Sequence, residues 1–127
     1  MRGRQKFFIC KKCGNIVGVI QTDGTPLVCC NEPMTELIPN TVEASTEKHL
    51  PAVTVSGDRI DVQIGSVPHP MEAEHSITFV YLETERGGQR KCLNVGEAPK
   101  QSFVLSDDKP VAVFAYCNLH GLWKTEL

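Results

Sequence analysis

The residues of this chain best suited to chemistry are its six cysteines and four histidines. Cys117 and His120 stand at a Cys-x2-His spacing directly after the apolar run 111–115, where a strand would give way to a loop. His69 lies between Pro68 and Pro70, which restrict the backbone on both sides of it. His75 precedes another apolar stretch, and His49 follows Glu47 and Lys48 after a polar segment. A single histidine is more often a surface or satisfied core residue than a ligand. Here all four fall at expected strand edges and none in a strand interior. Imidazoles suit zinc, copper, iron or nickel, and a thiolate narrows the choice to softer or redox-active centres. Zinc is ordinarily filled by four ligands. His49, His69, His75, His120 and Cys117 make five, which suits a six-coordinate metal such as iron with one position open to a small molecule.

Cys10, Cys13, Cys29 and Cys30 form a second set, Cys-x2-Cys followed by an adjacent pair. Four thiolates favour tetrahedral zinc or a single iron, and spacing alone does not choose between them. A structural zinc knuckle is the plainest reading. The adjacent pair cannot make a second Cys-x2-Cys loop and should distort the tetrahedron. A disulfide between neighbours would strain the peptide unit joining them. No signal-peptide core precedes these cysteines, so they read as metal ligands in a reducing cytosol. Cys92 stands outside both sets and reads as a small packing residue. A rival reading of Cys117 and His120 as nucleophile and base leaves three histidines without a role.

These groups need elements to hold them. The chain has 127 residues, 41% hydrophobic and 22% charged, with a net charge of -2. That is a globular composition with no long apolar run for a membrane span and no excess of positive charge for nucleic acid. Residues 1–38 read as a small module of short strands around the first cysteine set. It is too small to fold on its own core and needs a metal. Residues 39–46 read as a polar linker. Residues 47–127 read as all-β. Ile60, Val62 and Ile64 alternate with polar neighbours, and turn signals at Ser56-Gly57-Asp58, Arg86-Gly87-Gly88 and residues 106–110 separate about seven short strands, as in a β-sandwich. No helix is expected.

In order and combination these motifs resemble the desulfoferrodoxins, the two-iron class of superoxide reductase, over essentially the whole length. Cys10-x2-Cys13-Gly14-Asn15 with Cys29-Cys30 is similar to the desulforedoxin module. Glu47-Lys48-His49, residues 65–71 around His69, His75 and Cys117-x2-His120-Gly121-x-Trp123 are similar to the neelaredoxin-like domain. The resemblance implies one iron held by the four thiolates and a second in an immunoglobulin-like β-sandwich. His49, His69, His75 and His120 would be its equatorial ligands and Cys117 its axial ligand. It implies reduction of superoxide to hydrogen peroxide, electrons from rubredoxin or a similar donor, a homodimer and a cytoplasmic location. Lys48 would steer superoxide and supply protons, and Glu47 would assist product release. Asn118 and Leu119 are expected to offer backbone N–H groups to the Cys117 sulfur, and Trp123 to pack in the core. Two other readings stay open: a non-catalytic iron electron-transfer protein, and a zinc-stabilised binding module.

Overall fold

The computed structural model describes residues 4–127. After Ile38 the chain divides into two compact units.

The first unit is built from β1 (Phe7–Ile9), β2 (Ile16–Gly18), β3 (Val28–Cys29), β4 (Glu32–Pro33) and β5 (Thr35–Glu36). β1 pairs with β2 and β5, and β3 with β4, all antiparallel. Its buried apolar residues are Phe7 and Cys10, whereas Ile20, Leu27 and Val28 are exposed. Two buried side chains are too few to offset the conformational entropy of ordering such a module.

The second unit, Pro39–Leu127, contains β6 (Pro51–Ser56), β7 (Arg59–Ile64), β8 (Ile77–Thr84), β9 (Gly87–Cys92), β10 (Lys100–Val104), β11 (Pro110–Cys117) and β12 (Gly121–Glu126). These seven strands form two antiparallel sheets, ordered β10-β7-β6 and β12-β11-β8-β9. The alternation in β7 turns Ile60, Val62 and Ile64 inward. They join Phe103 of β10 and, from the other sheet, Ile77, Val80, Leu82, Val113 and Ala115. Cys117, at the end of β11, belongs to the same cluster and is fully buried. The thiol is therefore anchored by an inner strand, flanked by β8 and β12.

Three features depart from expectation. The β8–β9 turn is Glu85-Arg86, and Gly87 and Gly88 lie inside β9. Gly88 lies against the Tyr81 ring, where any Cβ would overlap the phenol, so a packed aromatic rather than a turn explains this glycine. A single helical turn, α1 (Thr46–His49), is present. One turn is shorter than the apolar period that reveals a helix in sequence. The polar run before it is pinned rather than free. The Asn40 N–H donates to the Leu122 carbonyl (3.0 Å), and the Asn40 side chain exchanges two hydrogen bonds with Lys124 (2.9 and 3.1 Å), along the outer edge of β12.

Candidate metal centres

Cys10 follows β1, and its carbonyl accepts the Gly14 N–H at 2.8 Å, closing the loop that carries Cys13. Gly14 has φ +83, a left-handed conformation open to glycine at little cost. The other pair sits on the β3–β4 hairpin. Cys29 pairs with Glu32, leaving Cys30-Asn31 as a two-residue loop with φ of 52 and 61 at its two positions. Two left-handed residues make a type I′ turn. Neighbours in an extended strand point to opposite faces. The left-handed turn brings the Cys30 sulfur back to 4.0 Å from that of Cys29.

Cys13 and Cys29 sulfurs are 3.6 Å apart, and all four ligand atoms lie within 4.8 Å of one another. Metal–sulfur bonds of about 2.3 Å give a tetrahedron with edges of about 3.8 Å, so the donor set fits a tetrathiolate ion. Electrostatics agree. The Cys13 backbone N–H lowers the Cys10 thiol to about 7. The crowding Cys10, Cys13 and Cys29 side chains raise Cys30 to about 12. Four thiolates at these distances need a cation to ionise together. None of the six cysteines is in a disulfide.

At one end of the sandwich, four imidazoles form a closed ring. Ring centroids are 4.6 Å apart for His49–His69, 4.7 Å for His69–His75, 5.2 Å for His75–His120 and 4.9 Å for His120–His49. The interplanar angles of these neighbours are 78°, 82°, 77° and 85°. The diagonal pair His49–His75 is 6.3 Å apart and tilted by 31°. Four rings each nearly perpendicular to the next is the arrangement of imidazoles surrounding one point. Ligand atoms of His49, His69, His75 and Cys117 lie within 4.8 Å of one another. His120 joins them through Nδ1, 3.1 Å from His49 Nε2 and 3.9 Å from the Cys117 sulfur.

Local hydrogen bonds set which nitrogens turn inward. His49 Nδ1 donates to the Ser45 carbonyl at 2.7 Å and His69 Nδ1 to the Pro70 carbonyl at 2.6 Å. A carbonyl only accepts, so in each neutral ring Nε2 carries a bare lone pair. Yet these two Nε2 atoms are 3.2 Å apart. Burial lowers both rings below the ordinary 6.5, His69 to about 4, so no proton bridges them near neutrality. His75 Nε2 is buried and has no hydrogen-bond partner. Converging lone pairs, an orphaned nitrogen and a buried thiol are the donor set of a metal ion, and they fit one. His49, His69 and Cys117 are buried, whereas His75 and His120 are half-buried.

Glu47 and Lys48 are exposed on α1, on the same turn as His49. Gly65 fixes that turn. It has φ +81, and a Cβ there would run into the carbonyl oxygens of Glu47, Lys48 and Val67. The Glu47 carbonyl accepts the Val67 N–H at 3.0 Å, tying α1 to the loop that carries His69.

Two sequence expectations are corrected. The Asn118 backbone N–H donates to the Ser76 carbonyl at 3.2 Å, so it is not aimed at the Cys117 sulfur. Cys92 is exposed on the outer strand β9, 3.1 Å from Arg90 Nη1, rather than packed in the core. Trp123 is buried as expected, but it also stacks on His49 (5.1 Å, 30°) and donates from Nε1 to the His120 carbonyl at 3.1 Å. Its place three residues after His120 was the available signal for that second duty.

Residues 41–126 match the family described as desulfoferrodoxin, and residues 3–37 match that family's N-terminal domain. The chain is 42% identical over 126 residues to a desulfoferrodoxin of Syntrophotalea carbinolica, with 99% of each chain covered. It is 40% identical to one of Nitratidesulfovibrio vulgaris over 126 residues, again covering 99% of each. Among solved structures it is similar to the superoxide reductase of Treponema pallidum. That match has a TM-score of 0.82 at 37% identity and covers 98% of this chain and 100% of the other.

Proposed function

The chain belongs to the desulfoferrodoxin family, and on that premise we infer that it is a superoxide reductase, converting superoxide to hydrogen peroxide with one external electron. Its cofactors are two mononuclear iron ions per chain. The observation that carries the reading is the ring of perpendicular imidazoles over a buried thiol, with unprotonated nitrogens turned inward.

We propose Cys10, Cys13, Cys29 and Cys30 as ligands of the first iron, and His49, His69, His75, His120 and Cys117 as ligands of the second. Iron at the second site supplies the electron and a cationic place for a small anion. Four neutral imidazoles add no charge there, and one thiolate leaves the ferrous centre net positive. Cys117, held in the core, donates electron density, as thiolates do to haem. Each superoxide needs one electron and two protons to become hydrogen peroxide. Lys48 carries its ammonium on the turn that presents His49, where it attracts the anion and holds a water that delivers protons. Glu47, beside Lys48 on the same turn, would assist release of the product.

The donor we propose is rubredoxin or a similar small redox protein. Exposure of Cys13 and Cys30 gives the first centre a route for electrons to enter. A homodimer is supported by the apolar residues that the first unit leaves exposed, and sedimentation measures it. We place the protein in the cytoplasm, where six unbridged cysteines persist.

The deciding experiment loads the protein anaerobically with iron and supplies superoxide with a defined reductant. One peroxide per superoxide with one donor electron consumed is expected. Half that yield with no donor consumed would mean dismutation and overturn the reading. A colourless protein holding zinc at both sites would remove it altogether.

A further inference from the structure

The four histidines are not held alike. His49 and His69 fix their own rings through Nδ1 bonds to carbonyls four and one residues away. His120 is tied by the Trp123 indole three residues on. His75 itself exchanges two main-chain bonds with Glu72 (2.9 and 3.2 Å), and the residues on either side of it are held from across the fold. Asn118 Oδ1 accepts the Ser76 N–H at 3.0 Å, and Asn118 Nδ2 donates to the Glu74 carbonyl at 3.0 Å. The Asn118 N–H donates to the Ser76 carbonyl at 3.2 Å. These three bonds grip the backbone immediately before and after His75.

The grip stands where the sheet lets go. Along β8 and β11 the register runs Tyr116↔Phe79 and then jumps to Cys117↔Ile77. In an antiparallel ladder every second facing pair exchanges both N–H···O bonds. Past the irregularity Asn118 restores that exchange with Ser76, its side-chain carbonyl standing in for a main-chain one. Because Asn118 adjoins Cys117, the clasp also sets the separation of two donors, one in the loop before β8 and one at the end of β11.

We propose that Asn118 is a positioning residue that locks His75 against Cys117 and so holds the second metal. The inference rests on the functional reading above. It predicts that Asn118→Ala, loaded with iron, releases the second iron to a ferrous chelator about 10–100-fold faster than the parent, the range for lost outer-shell partners. Asn118→Asp keeps the acceptor for Ser76 and loses the donor to Glu74, so it falls between the two. The oxidised-iron EPR line shape changes in both variants, because the backbone that carries His75 would no longer be fixed. Faster release with a changed line shape supports the proposal. Release within twofold of the parent, or faster release with the parent line shape, overturns it. If the alanine variant does not fold, the aspartate variant is judged by the same two measurements. A parent protein that takes up no iron at this site would sink the functional reading and this inference with it. A loaded parent with indifferent variants sinks only the inference.

Discussion

At the scale of single residues, the site works by deciding which nitrogen of each imidazole is bare. Ser45 and Pro70 do this for His49 and His69 with main-chain carbonyls, so their identity left no trace in the sequence. The ligand types were legible there because cysteine and histidine are rare and chemically distinctive. Outer partners made of backbone were not, and neither was the aromatic lid that Trp123 places on His49. The protonation state yields a prediction. With metal removed, His49 and His69 stay neutral in the fold, while the unfolded chain protonates near the ordinary 6.5. The unfolded state therefore binds more protons below that pH. Stability is complete above about pH 6.5 and is lost as pH falls toward about 4. Urea midpoints of the metal-free protein should decline across that window, and a flat profile would contradict the burial of two neutral rings. Lys48→Ala should slow superoxide capture and flatten its dependence on ionic strength in pulse radiolysis. Unchanged rates would remove the steering role.

At the scale of elements, turns set the geometry and strands supply the rigidity. The β7 alternation and the apolar run of β11 were readable because burial writes its period into side chains. The single turn α1 was not, being held by the carbonyls packed around Gly65 rather than by an apolar stripe of its own. Gly65→Ala is the sharp test of that packing. Left-handed backbone alone costs roughly 1–3 kcal/mol in a residue with a side chain, and here the new methyl also meets three carbonyls. The expected result is a clear drop in the melting temperature of the second unit together with weaker iron retention, since α1 carries His49. A variant that melts and binds iron like the parent would show that the turn has room to move. The Cys30-Asn31 turn obeys the opposite logic. Both residues already sit at left-handed φ, so Asn31→Gly should leave the first metal in place, whereas Asn31→Val should loosen it in a chelator competition.

At the scale of the whole chain, the two units differ in what stabilises them. The second has a shared apolar core between its sheets. The first buries Phe7 and Cys10 and little else apolar. Chelation at the first site should therefore unfold residues up to Ile38 and leave the sandwich intact, so that calorimetry shows two transitions for the loaded protein and only the sandwich transition after chelation. One merged transition would mean that the units stand or fall together. The division itself was visible in the sequence as a cysteine-rich segment too short for a core, followed by alternating strands. The pinned course of residues 39–45 was not, because Asn40 reads as loop whether or not it grips β12.

The ligand positions along the chain carry a consequence for biosynthesis. The proposed ligands of the first ion span positions 10 to 30, so a growing polypeptide has them all early in its synthesis. The proposed ligands of the second span positions 49 to 120, and the sulfur among them, Cys117, ends the next-to-last strand. On that assignment the complete donor set exists only once nearly all of the sandwich has been translated.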